Sequence, residues 1–178
     1  MPVLSTLTNP GTWHILAFGT LFGAEFYQTF ISGVVAYRAL PKPMFSQLQQ
    51  KALPVFFTLQ SVLPVALLAT HPTASAVSLL STSSPYFYNT TIPIMVTLSS
   101  SLMNLFFVGP ATSKIMKERR IQETKEGKKY YDEGPKSEAM QKLNSRFGKV
   151  HGISSMLALV GVLATGAYGG VLGTSLRL

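Results

Sequence analysis

The residues whose chemistry stands out in this chain are polar side chains inside long apolar segments. Glu25 lies at the middle of residues 12–37, a segment that contains no other charged residue. A carboxyl in such a segment can carry protons along a polar pathway, or it can hold helices in register through hydrogen bonds. We expect the carboxyl to be neutral, because burial disfavours its charged form and no apolar segment supplies a Lys or Arg partner.

Three amide side chains are predicted to lie at a similar depth. At a rise of 1.5 Å per residue, Gln28 and Asn104 are each about 24 Å from the non-cytosolic ends of their segments, and Gln60 is about 12 Å from the cytosolic end of its own. In a helix that crosses the bilayer these depths coincide. The sequence therefore predicts an intramembrane polar cluster of Glu25, Gln28, Gln60 and Asn104. A structural cluster is favoured over a proton or cation relay.

The histidines and hydroxyls give no catalytic pattern. His14 and His151 are predicted to lie near opposite membrane faces, as interfacial polar residues rather than metal ligands. The chain has no Cys, which removes thiolate metal sites and cysteine nucleophiles. Ser154 and Ser155 follow His151 without a nearby acid to orient it. We predict no catalytic residue, no metal, no cofactor and no enzymatic activity.

Four apolar segments position these polar residues, over 12–37, 52–70, 86–112 and 150–172. A helix over 12–37 is about 39 Å long, enough to cross a hydrocarbon core of about 30 Å with some tilt. Trp13 and Tyr37 lie at its two ends, where aromatic rings anchor helices at membrane interfaces. The pattern predicts an all-α fold, a transmembrane four-helix bundle in a single membrane domain, 1–178. Residues 113–149 form a basic loop or helical extension between its third and fourth helices.

Composition and charge agree with a membrane domain. Charged residues make up 12% of the chain, about half of the share in soluble domains. Residues 38–51 and 113–149 hold 14 of the 15 Lys and Arg residues, so both are expected on the cytosolic side, with the termini opposite. Basic loops beside apolar segments favour anionic lipid head groups near 113–149 as partners, and not nucleic acid.

The remaining signals concern packing, processing and location. The pairs Gly19/Gly23 and Gly166/Gly170, each spaced by four, predict close helix packing and fit a homo-oligomer or a larger membrane complex.

Asn89 begins a glycosylation acceptor pattern, but it abuts the third apolar segment and low occupancy is expected. Residues 1–11 lack the basic start of a cleavable signal peptide. An endomembrane of the secretory pathway or another organelle membrane, mitochondrial included, is the expected location.

Several stretches together resemble the transmembrane protein 205-like family of small four-span proteins. They are His14 with the glycine-rich first segment, TFISG at 29–33, RALP at 38–41, Phe45, Gln49 and Lys51 leading into LPVFF, Asn104 with Pro110 and Met116, and FGKVHGISS at 147–155. Glu25 departs from the uncharged polar residue that the family favours at this place. The resemblance implies a four-helix integral membrane protein and no established chemistry.

Two functions remain open on the sequence alone. The first is a non-enzymatic bundle that acts as a structural or accessory component of a membrane assembly. The alternative is a transporter or channel subunit with a polar pathway through Glu25. A membrane-embedded enzyme ranks third, because the sequence offers no catalytic constellation.

Overall fold

The computed structural model describes residues 2–72 and 74–175, and these form helices and turns without a strand. The helices are α1 (Pro2–Thr8), α2 (Pro10–Phe26), α3 (Gly33–Ala39), α4 (Lys42–Ala69), α5 (Ala76–Leu79), α6 (Ile92–Met103), α7 (Gly109–Glu126) and α8 (Glu138–Ser175). Turns of π-helix over Tyr27–Ser32, Phe87–Thr91 and Asn104–Val108 precede α3, α6 and α7. The predicted all-α fold is confirmed.

These elements combine into four long helices. The first runs through 10–39, the second is α4, the third is Phe87–Glu126 and the fourth is α8. The first packs against the second and the fourth, and the third packs against the same two. Consecutive helices run in opposite directions, so they form a bundle in which each helix contacts its neighbours in chain order. Beyond the bundle, α7 and the start of α8 continue as a two-helix extension.

Local sequence explains where the long helices begin and end. The Asn9 side chain accepts a 2.8 Å hydrogen bond from the Gly11 N–H and caps α2, and Ser137 accepts a 3.0 Å bond from the Met140 N–H and caps α8. Gly127 and Gly134 have φ of 63° and 86°, a left-handed backbone that glycine adopts without strain. They end the third helix and shape the turn before the fourth.

Many polar side chains are buried and many large apolar side chains are exposed, which is the reverse of the distribution in a water-soluble domain. The buried apolar cluster is small, formed by Ala17, Leu21, Leu67, Ile94 and Tyr168. The outer surface instead carries large apolar side chains: Val55, Phe106 and Phe107 are 71%, 63% and 65% exposed. A surface of this kind is unfavourable in water and well suited to hydrocarbon. Together with three helices that are long and apolar enough to cross a membrane, it indicates a membrane protein.

The helices differ from the predicted segments in two places. The helices with sufficient length and apolar character are Lys42–Ala69, Phe87–Glu126 and Glu138–Thr174, whereas α2 has only 17 residues before the π turn at Tyr27–Ser32 interrupts it. The connection predicted over 38–51 is also much shorter. Pro41 precedes α4 and Pro43 lies in its first turn, where proline is tolerated, so the helix already begins at Lys42.

Candidate functional site

The polar interior of the bundle contains a direct contact between Glu25 and Gln60. Their side chains are 0% and 1% exposed, and Gln60 Nε2 donates a 2.6 Å hydrogen bond to Glu25 Oε1. Glu25 Oε2 and Gln60 Oε1 are also buried and accept no hydrogen bond. A Cβ atom added at Gly161 would lie 2.7 Å from Gln60 Nε2, so the backbone of the fourth helix closes over the pair. Three long helices therefore meet at one polar contact.

The other two predicted members of the cluster lie elsewhere. Gln28 lines a shallow groove between the first and second helices, together with Lys51 and Val55. Asn104 is fully buried between the third and fourth helices, where its Nδ2 donates a 3.2 Å bond to the Ser154 carbonyl. Depth along a helix gives the height of a residue but not its direction around the axis. The π turns that follow Phe26 and begin at Asn104 change that direction.

Hydroxyl pairs that the sequence analysis missed join the helices at nearby heights. Thr97 Oγ1 lies 3.0 Å from Thr165 Oγ1, and Ser61 donates a 2.9 Å bond to Ser101. Thr97, Ser101 and Asn104 follow each other by four and three residues, the spacing of one helix face. That periodicity, read for polar residues instead of apolar ones, is the signal that could have identified the inner face of the third helix.

His14, predicted as an interfacial polar residue, lies near one end of the bundle and is buried, at 1% exposure. Its Nδ1 lies 3.2 Å from Thr70 Oγ1, its Nε2 is hydrogen-bonded to the Tyr168 hydroxyl, and the His71 ring packs edge-on at 5.5 Å. His14 is buried because α2 begins at Pro10, so the residue lies one turn inside the bundle and faces the ends of the second and fourth helices. These residues form a closed polar group at the end of the bundle that carries α1.

His151 lies toward the opposite end and is exposed, with its ring stacked on that of Phe147 at 5.6 Å. Tyr168, the partner of His14, is 17 residues further along the same helix, which corresponds to about 26 Å. The two histidines do not meet. In the described part of the chain, no three His, Cys, Asp or Glu residues are grouped as metal ligands.

Within the chain, the close helix packing does not occur at the predicted pairs Gly19/Gly23 and Gly166/Gly170. In the part of the chain that the structure describes, no neighbour lies within 4 Å of a Cβ atom added at Gly19, Gly23 or Gly170, and Gly166 has only an ordinary contact, 3.5 Å to Phe22. A Cβ atom at Gly169 would lie 2.6 Å from the Phe18 ring. Within the chain, the fourth helix thus approaches its neighbours at Gly161 and Gly169. Gly169 also has a glycine four residues further on, so the spacing alone does not identify which face of the fourth helix packs against its neighbours.

The basic extension is held together by its own side chains. The Arg119 guanidinium lies between two rings, 3.7 Å from the centre of Tyr130 and 4.6 Å from that of Phe147. Arg146 adds a 3.0 Å ion pair to Glu118, between α8 and α7. Arg119 is buried, so this cation packs against protein, whereas Arg120, Lys125 and Lys129 are exposed.

These features define an all-α membrane protein with a hydrogen-bonded polar interior. The chain belongs to the family described as domain of unknown function DUF4149, whose model matches residues 16–121. It is also 28% identical over 174 residues to the xanthocillin biosynthesis cluster protein D of Aspergillus fumigatus, an alignment that covers 98% of this chain and 96% of that protein. No solved structure matches the chain. The resemblance to the transmembrane protein 205-like family stays a prediction.

Proposed function

We propose that this protein is a multi-pass membrane protein whose four long helices all cross the bilayer, as a non-enzymatic accessory component of a membrane assembly. The first long helix supports the fourth span, since 30 residues over 10–39 measure about 45 Å and continue through the π turn. The transmembrane protein 205-like resemblance implies the same number. The Lys and Arg distribution supports cytosolic positions for 38–51 and 113–149, with both termini on the other side.

The observation that carries the accessory role is the pairing of interior polar groups between helices. Glu25 bonds to Gln60, Ser61 to Ser101, and Thr97 contacts Thr165, so each pair joins two different helices. Such bonds stabilise a compact bundle in lipid. The relative from Aspergillus fumigatus is named for a biosynthesis cluster, and we extend this to a role beside membrane-associated biosynthetic enzymes. The partners are then lipid, a second copy or the larger assembly.

Blue-native electrophoresis of the tagged chain, extracted in mild detergent, tests the assembly. We expect migration above the monomer mass with at least one defined co-purifying chain, or with a second copy. Gly23→Ile is the informative variant, because a Cβ atom at Gly23 meets no packing neighbour within 4 Å among the described residues and the bundle itself is spared. Gly161→Ile is the matched variant that damages the bundle. Migration of the wild type as a bare monomer, without a co-purifying chain, contradicts the proposal.

The alternative function is a transporter or channel subunit, and one observation favours it. Interior polar groups follow one another along the bundle, from His14 through Glu25 and Gln60 to Asn104. A proton or cation pathway through Glu25 predicts flux in reconstituted vesicles that Glu25→Gln abolishes while the variant still folds. Absence of flux, or equal flux in wild type and Glu25→Gln, eliminates this alternative.

A further inference from the structure

A cavity of about 240 Å³ lies between the second, third and fourth long helices, near the two-helix extension. Leu53 and Phe57 from α4, Leu105 from the π turn and Met116 from α7 supply apolar wall. Asn104 lies in the wall and is fully buried, whereas His151 lies in the wall and is exposed. The cavity therefore opens at the outer surface of the bundle, and a buried residue with an amide side chain forms part of its wall.

The backbone of the third helix is widened where this cavity lies. Residues Asn104–Val108 form a π turn, and Gly109 follows it. A Cβ atom at Gly109 would lie 2.7 Å from the Asn104 carbonyl oxygen, so the turn in this form requires glycine. Short π turns within α-helices are frequent at functional sites, because the extra residue redirects a side chain. Asn104 is the first residue of this turn.

The Asn104 amide is half-satisfied. Its Nδ2 donates to the Ser154 carbonyl at 3.2 Å, but its buried Oδ1 accepts no hydrogen bond. An unpaired buried carbonyl oxygen is unfavourable, and a donor that reaches it would be strongly favoured. None of the described residues that line the cavity is Asp, Glu, Lys or Arg. A charged ligand would find no counter-ion there, whereas a neutral ligand with one donor group matches the wall.

We propose that this cavity binds a small neutral amphiphile, with an apolar body against Leu53, Phe57 and Met116 and a hydroxyl or amide N–H that donates to Asn104 Oδ1. Sites for drug-sized ligands have volumes of about 300–1,000 Å³, so the cavity fits a smaller molecule. Medium-chain alcohols and phenols have this size and chemistry. The binding site is separate from the Glu25 contact and does not depend on the accessory role.

Photolabelling of the full chain in lipid nanodiscs tests the site. The probe is 3-azioctanol, a diazirine-bearing alcohol, and the comparison probe is the diazirine alkane of equal length without the hydroxyl. We expect 3-azioctanol adducts at cavity residues such as Leu105 and Met116, saturable and displaced by unlabelled octanol. In Asn104→Leu the alcohol adducts should fall about five- to tenfold, the effect of one hydrogen bond, while alkane adducts stay unchanged.

A second variant covers the case in which Asn104→Leu does not fold. Met116→Trp fills the cavity from the α7 side and leaves Asn104 intact, so it should abolish adducts of both probes, with thermal unfolding as the check on folding. Adducts spread over lipid-facing Phe106 and Phe107, without saturable labelling in the cavity, overturn the proposal. Equal labelling by the alcohol in folded Asn104→Leu and in the wild type also overturns the proposal, since the probe hydroxyl would then not depend on a hydrogen bond to Asn104 Oδ1.

Discussion

Gln60 donates a 2.6 Å hydrogen bond to Glu25 in a part of the bundle where neither side chain reaches the surface. The contact fixes the first long helix against the second in both height and rotation. It also leaves one oxygen on each side chain without a donor. A neutral carboxyl has a proton to offer Gln60 Oε1, whereas a carboxylate would lie in the bundle without a cation. We therefore expect the Glu25 carboxyl to be neutral, as the sequence predicts.

Replacement of Glu25 separates hydrogen bonding from charge. Glu25→Gln keeps the shape and an acceptor for Gln60, so the free energy of unfolding should hardly change. Glu25→Leu leaves the Gln60 amide unpaired and should lower it by about 1 kcal/mol, as for other hydrogen bonds between membrane helices. Thermal unfolding in detergent measures both, with Gln60→Leu and the double variant completing a cycle. A large loss in Glu25→Gln would refute the neutral pair, because only a specifically paired carboxylate depends on its charge.

Two glycine variants test where the helices approach closely. In Gly161→Ala the new methyl would lie 2.7 Å from Gln60 Nε2, so the end of that side chain must shift and its bond to Glu25 is strained; we expect a loss of about 1–3 kcal/mol. In Gly23→Ala the new methyl meets no described neighbour within 4 Å, so the variant should be neutral or slightly stabilising, because alanine is the better helix former. Chemical unfolding in mixed micelles compares the two. Equal stability of the two variants would contradict the packing described for Gly161.

Much of this fold could be predicted from sequence because its strongest signals are one-dimensional. Apolar stretches around Glu25, Gln60 and Asn104 locate the long helices, and Ser137 with Gly127 and Gly134 marks the turn before the fourth. The second helix begins at Lys42, earlier than predicted, because Pro43 is compatible with a first turn. Hydropathy does not show this, since six of the ten additional residues, 42–51, are Lys, Ser or Gln.

The arrangement of the interior was only partly predictable. Sequence gives height: it predicts Gln28 and Gln60 in one layer with Glu25 about one turn away, whereas the structure pairs Gln60 with Glu25 and leaves Gln28 outside that contact, in the π turn that begins at Tyr27. Likewise His14 is buried because Tyr168, far away in sequence, supplies its partner. Azimuth around each helix and pairing between distant segments come from packing of the whole bundle. The spacing of residues within one helix predicts neither the azimuth nor the pairing.

The two-helix extension should depend on one particular arginine. Arg119→Leu removes a cation that lies over Tyr130 and Phe147, so the stability of the extension should fall by about 1–2 kcal/mol. Arg120→Leu changes the same charge at the exposed neighbouring position and should have little effect. Hydrogen exchange over 119–147 is the readout, with faster exchange in Arg119→Leu alone. Equal exchange in both variants would show that the ring contacts do not stabilise the extension.

Anionic lipid should protect the same extension through its exposed cations. Residues 113–149 have a net charge of +5, and each basic residue near an anionic leaflet contributes roughly 1 kcal/mol. Amide exchange over 117–136 should therefore be slower in anionic than in neutral nanodiscs, and high salt should remove the difference. Lys125 and Lys129 are the exposed side chains to replace, with buried Arg119 left intact. Identical exchange in both lipids would show that anionic head groups do not bind the extension.

The number of membrane crossings can be measured directly, because the chain contains no Cys and single cysteines can be introduced without background. Ser145→Cys reports on the basic extension, Thr82→Cys on the connection after the second helix, and Ser5→Cys on the N-terminal side of the first. All three positions are exposed.

With four crossings and cytosolic basic loops, an impermeant maleimide added to the cytosolic face of sealed vesicles should label Ser145→Cys alone. Permeabilised vesicles, labelled at all three positions, provide the control. Labelling of Ser5→Cys together with Ser145→Cys would mean that the first helix, interrupted at Tyr27–Ser32, does not cross, and the protein would then have three spans.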